Sequence, residues 1–340
     1  MKKDFIIELN WVRALAAISI VLYHYTARYN DAIGHIEDYP FMCTWGCGAV
    51  NTFFLLTGFL TICNLQQEET VKRFVYKRCI RLYPSYWACI FITSIVTCLF
   101  MPNLSRSISS ILVNLTMLQT FVGIPNVDGV YWTLAFEIIF YVCISAIILL
   151  NKKISMYRNI IAISLIWMLA SVINLMQTNI FGGGIKLLGT LTEFCPPFVC
   201  GMMLSLIKQN INKLFPWILA VISGVLSYLT QSLDYFVYML ITASVVLFVV
   251  IARMNNKQYM ERINKISKLL SILNWFAGIS YPLFLIHQFV GWSCIYHLEQ
   301  NGFVSELYLI IPITVSIILA HIVTRYVDIP LTKYLKQYVK

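Results

Sequence analysis

Residues 9–25, LNWVRALAAISIVLYHY, form an apolar run long enough to cross a bilayer as a helix, yet they enclose Arg13 and His24. Ionisable groups at membrane depth are costly and by default mark a pathway or a site. At 3.6 residues per turn the two side chains fall about 20° from one line on the helix surface, with a rise of about 16 Å between them. One helix face thus presents a fixed cation near one membrane surface and a titratable imidazole toward the other. A purely structural arrangement, with Arg13 paired to a carboxylate and His24 bonded to a carbonyl, is the competing account.

Composition sets the class. The chain is 59% hydrophobic and 12% charged, with a mean hydropathy of +0.75, and a soluble domain of this length carries roughly twice that charge. The expected fold is all-α: a polytopic membrane protein with a single integral membrane domain over residues 1–340. Windows of about 20 apolar residues predict ten transmembrane helices, at 9–27, 47–65, 84–101, 131–150, 158–176, 186–207, 215–230, 234–253, 275–296 and 305–327. Residues 107–122 read as an interfacial or re-entrant helix. Lys2 and Lys3 before the first run imitate a signal peptide. Arg13 interrupts that run and no small-residue cleavage site follows His24, so the segment is expected to be retained.

With a cytoplasmic N-terminus, all Lys and Arg residues fall on inner segments except Arg28, Arg106 and Lys186 outside and Arg13 within the membrane. Both termini are therefore expected in the cytoplasm. The net charge of +10 is a topology signal and requires no nucleic acid. The ten cysteines sit mostly within or beside spans, as small hydrophobes do. Cys43 and Cys47 fall together on the outer side, where a disulfide is chemically permitted. No Cys/His spacing indicates a metal site.

Topology gives the remaining polar residues an address. Residues 72–87, KRFVYKRCIRLYPSYW, carry Arg78 and Arg81 at the inner side, i and i+3 neighbours on one helix face. Guanidinium groups so placed fork around phosphate, although most such clusters only anchor topology. Pro84 suits the first turn of the third span, and Tyr86 and Trp87 suit an interfacial aromatic belt. In the fourth span, Glu137 sits about 10 Å below the outer surface, close to the depth of His24, with Tyr141 one turn below it. A carboxylate and an imidazole at matching depth can act as base and orienter. A structural Glu–Arg pair is the alternative. Glu193 is a second outer-side carboxylate and His287 lies mid-span. His297 reads as solvated and His321 as a packing histidine.

These residues resemble the acyltransferase-3 family of integral membrane O-acyltransferases. The resemblance rests on Arg13-x10-His24, on FFLLTGFL at 53–60, and on Arg78-x-x-Arg81 with Pro84 and Trp87. WTLAFEIIFY at 132–141 and ISYPLFLIH at 279–287 complete it. Asn10 stands where the family usually has Asp. Thr57 and Thr133 replace more usual serines, and Asp328 with Pro330 replaces a Glu-x-Pro. Many relatives carry an extra soluble esterase-like domain. This chain ends at Lys340 and is expected to rely on the membrane domain alone.

The resemblance implies transfer of an acyl group, most often acetyl, from cytoplasmic acyl-CoA to a hydroxyl of an extracytoplasmic glycan, such as O-antigen of lipopolysaccharide or another surface polysaccharide. The implied setting is the bacterial inner membrane, multi-pass. The partners are acyl-CoA, a lipid-linked or polymeric glycan and membrane lipid, with no tightly bound cofactor. Arg13, Arg78 and Arg81 would bind the donor, and His24 and Glu137 would carry catalysis. Tyr141, Glu193, His287 and Thr133 would serve the acceptor side or support it. His24 either deprotonates the acceptor hydroxyl or carries the acyl group covalently, and both are compatible with the sequence. The rival class is a transporter or flippase with a His/Glu proton relay, which often shows inverted repeats. None is present.

Overall fold

The computed structural model describes residues 6–36, 41–151, 154–181, 189, 192–255, 257–303 and 306–338. The expectations for Lys2, Lys3, Lys152, Lys153, Lys186 and Lys340 lie outside the described residues. Within them the chain is all-helical, without a strand. The helices are α1 (Glu8–Tyr25), α2 (Ala27–Ala32), α3 (Ala49–Cys63), α4 (Val71–Phe100), α5 (Ile108–Asn114), α6 (Trp132–Leu150) and α7 (Met156–Phe181). They continue with α8 (Cys195–Gln209), α9 (Leu214–Thr230), α10 (Leu233–Asn255), α11 (Lys257–Leu269), α12 (Ser271–Gln300), α13 (Ile310–Val323) and α14 (Ile329–Lys336).

Each apolar stretch read from the sequence holds or lies in one of these helices. Among the described residues six helices are long and apolar enough to cross a membrane, or seven if α11 and α12, bent by 76°, count as one span. The other expected spans fall short for local reasons. Helix α1 carries Glu8 and Arg13 among its 18 residues, while α8 has 15 residues and α9 has 17.

Helix α4 differs most from expectation. It runs unbroken from Val71, so Pro84 lies in its interior and not in a first turn. An interior proline leaves the carbonyl four residues earlier without its helical donor. Here that carbonyl, on Ile80, accepts from the Thr332 hydroxyl at 3.2 Å. Helix α5 is a stub within the stretch expected to be re-entrant. Its carbonyl end is closed from α4: Tyr86 donates to Asn114 (2.7 Å), Trp87 to Leu115 (3.0 Å) and Tyr83 to Thr116 (2.9 Å). Those aromatics cap a helix end whose carbonyls lack helical partners. Cys43 and Cys47 are not joined in a disulfide.

The chain contributes to two compact units, each discontinuous in sequence. The first comprises Met1–Ala16, Cys47–Phe74 and Phe136–Asn274, and the second Ala17–Gly46, Val75–Ala135 and Trp275–Lys340. In the first, α3 and α8 approach backbone to backbone. A Cβ on Gly58 would meet the Phe198 carbonyl oxygen at 2.3 Å, and one on Gly201 the Leu55 oxygen at 2.0 Å. Small residues permit that approach where lipid supplies no hydrophobic drive between helices. Phe198 stacks on Phe54 and on Phe140, each at 4.6 Å. Glu8 in the first turn of α1 is held by Arg253 Nε at 3.0 Å and by the Tyr259 hydroxyl at 3.1 Å. The core of the second unit gathers Val21, Tyr25, Tyr29, Ile279, Leu283, Phe289 and Trp292.

Candidate active site

Helix α1 ends beside its histidine. Thr26 leaves helical geometry, donates its hydroxyl to Leu22 O at 2.7 Å and accepts the Cys43 N–H at 3.0 Å. That stop places Tyr23, His24 and Tyr25 at the end of the helix.

In the second unit His24 meets His287 of α12. Their ring centroids are 4.8 Å apart and inclined by 38°. The two helices hold each other at these residues. The Tyr25 hydroxyl donates to the His287 carbonyl at 2.8 Å and shares a 2.7 Å hydrogen bond with Ser316 of α13. In return the Trp292 indole N–H donates to the His24 carbonyl at 2.8 Å. Gly291 makes the approach possible, because a Cβ there would sit 2.2 Å from the Tyr25 ring.

The imidazole hydrogen bonds define the chemistry. His287 Nδ1 lies 3.1 Å from Leu283 O and 2.9 Å from Phe284 O. Both partners are acceptors, so Nδ1 carries the proton and Nε2 keeps its lone pair. Nε2 of His287 and Nδ1 of His24 are buried without a hydrogen-bond partner. An enclosed imidazole nitrogen with an unused lone pair can take a proton from a hydroxyl or attack a carbonyl carbon.

The remaining expected residues are distributed between the units. Arg78 (half-buried) and Arg81 (exposed) share the second unit with the histidine pair, whereas Arg13, half-buried on α1, falls in the first. Glu137 also belongs to the first unit, where the Tyr141 hydroxyl donates to it. Thr133 is buried and spends its hydroxyl on Val130 O at 2.9 Å. Glu193 is exposed in a turn before α8. His297 is exposed beside Phe100, at 5.3 Å. His321, expected to be packed, is exposed and keeps one ring contact, with Trp275 at 5.6 Å.

Two features escaped the sequence reading. Glu299 is buried and accepts from Tyr308 (2.6 Å) and Tyr29 (3.1 Å), with His35 Nδ1 at 2.7 Å. Tyr29 also packs edge-on against Trp292 at 6.0 Å, which ties this cluster to the indole that holds His24. The second feature is Asp128, fully buried, whose sequence signal is only that of a residue capping the turn before α6. Among the described residues no group of His, Cys, Asp and Glu could hold a metal ion.

A helical membrane chain with paired, partly unengaged imidazoles is suited to group transfer. The profile of the acyltransferase-3 family, described as an acyltransferase domain, matches residues 6–325. The chain belongs to that family and is a multi-pass membrane protein. No curated protein and no solved structure matches it.

Proposed function

We propose that this protein transfers an acyl group, acetyl in the first instance, from cytoplasmic acyl-CoA to a hydroxyl of an extracytoplasmic glycan, O-antigen or another surface polysaccharide, lipid-linked or polymeric. The observation that carries the reading is the His24–His287 pair with its unpartnered nitrogens, in a chain of an acyltransferase family. In direct transfer His24 takes the acceptor's proton, the alcohol oxygen bonds to the thioester carbon, the C–S bond breaks, and the proton passes to the departing thiolate. In the covalent variant the imidazole nitrogen bonds to the thioester carbon as the C–S bond breaks; the alcohol oxygen then bonds to that carbon as the C–N bond breaks, and the alcohol's proton passes to the freed imidazole and on to the thiolate.

The proposal includes one acyltransferase domain with ten spans, both termini in the cytoplasm, and a bacterial inner-membrane location. Arg78 and Arg81 bind the donor's phosphates on the inner side, where Arg suits paired phosphate oxygens, and Arg13 is a further donor-binding residue. Glu137, with Tyr141 donating to it, supports catalysis. Thr133, Glu193 and His287 serve the acceptor side, His287 directly beside His24.

The test is release of CoA thiol from labelled acetyl-CoA by the purified protein in detergent, with and without an acceptor sugar. The expected result is turnover in the wild type and none in His24→Ala. Equal rates in the two proteins overturn the reading.

A further inference from the structure

Asp128 lies outside every stretch on which the family resemblance rests, yet it reaches the backbone next to the histidine pair. Its side chain is fully buried. Oδ1 accepts the Val130 N–H at 3.2 Å, closing the turn that starts α6, and Oδ2 accepts the Phe289 N–H at 3.1 Å. Phe289 is the second residue after His287 on α12. The neighbouring contacts converge on the same stretch. Cys89 of α4 donates to Pro282 O at 3.8 Å, and a Cβ on Gly129 would lie 2.5 Å from the Gln288 amide oxygen. Tyr25 holds the His287 carbonyl in the same stretch.

We propose that Asp128 is the positioning residue of the histidine pair: by taking the Phe289 N–H it sets the placement of the α12 turn that carries His287, and so holds that ring against His24. The catalytic consequence rests on the acyltransfer reading above, whereas the placement does not. Burial pushes the Asp128 carboxyl up to about 7, against the pull of the Phe289 and Val130 N–H groups, so the placement rests on its two acceptor oxygens, and a buried N–H left without its acceptor is costly. Replacing one of those acceptors therefore loosens the turn.

Asparagine can satisfy one of the two N–H groups and opposes the other with a donor, so Asp128→Asn is the milder variant and Asp128→Ala the harsher. The measurements are steady-state kinetics with acetyl-CoA, and the rate at which diethyl pyrocarbonate modifies His287, read by peptide mass spectrometry. Asp128→Asn should lower kcat about tenfold or more while the acetyl-CoA KM stays within about twofold. His287, enclosed in the wild type, should be modified about fivefold faster or more. Asp128→Ala should exceed both effects, and if it does not insert, the asparagine variant decides. An unchanged modification rate in folded Asp128→Asn overturns the proposal. So does a loss of rate that merely tracks a lowered melting temperature and a raised KM. Should wild-type protein neither transfer acetyl nor hydrolyse acetyl-CoA, the acyltransfer reading fails, and the modification rate alone decides the placement.

Discussion

Gly201 and Gly291 are both buried glycines in apolar helices, and they serve opposite ends. At Gly201, in the first unit, the missing Cβ admits the backbone of α3, with the Leu55 oxygen 2.0 Å from where that carbon would stand. At Gly291, in the second, it admits the Tyr25 ring, whose hydroxyl then bonds His287 and Ser316. The first unit uses close approach to pack one helix directly on another, with stacked phenyl rings alongside. The second uses it to insert polar side chains that bind main-chain carbonyls. In lipid, small-residue contacts and interhelical hydrogen bonds are the two available means of holding helices together. Only the second leaves imidazoles in defined orientations, and the histidine pair is found there.

That contrast can be broken by substitution. The largest effect should come from His24→Ala, which removes the general base or nucleophile. Acyl transfer should fall about 10² to 10⁴-fold in protein that still inserts. Near-wild-type turnover would make the second unit's polar pins purely structural. Next, Gly201→Val should destabilise the first unit by about 3 kcal/mol, since backbone must move to admit the side chain. A lowered melting temperature in detergent reports it, and an unchanged one would show that the helices are not held by close approach. Arg78→Ala or Arg81→Ala should weaken acyl-CoA binding by about 10- to 150-fold, the cost of one charge-assisted bond. Titration calorimetry that finds normal affinity would reduce the pair to a topology anchor.

Smaller effects sharpen the comparison. Tyr25→Phe keeps the ring in the Gly291 notch and removes only the hydroxyl, so it should cost about 1–2 kcal/mol of stability. A neutral result would mean that the ring, not the hydrogen bond, does the holding. Smallest of all, Gly224→Ala on α9 should raise stability by about 0.5–1 kcal/mol. Nothing lies within 4 Å of its would-be Cβ, unlike the crowded Gly201. A loss there would mean that the α9 surface is covered by something that needs the glycine.

Much of the architecture was legible in residue order. Apolar runs become helices because a backbone without water must satisfy its own hydrogen bonds, and each apolar run from 9–27 onward holds or lies in a helix among the described residues. Arg13 and His24 were legible too, since their spacing along one helix follows from its geometry alone. Helix ends were less so. Residue order placed Pro84 in a first turn, because the donor that makes an interior proline tolerable, Thr332, lies 252 residues beyond the Ile80 carbonyl it satisfies.

The sequence by itself determined that this is a helical membrane chain, that it carries the family's motifs, and that His24 lies on one face with Arg13. Those are consequences of local periodicity and of transfer out of water. Only the tertiary structure decided that His24 meets His287, that each carbonyl is held from the other's helix, and that Asp128 reaches Phe289 across 161 residues. A hydrogen bond is directional and acts over about 3 Å, so which distant groups find one another depends on how the helices pack, and no pattern within a single helix records that.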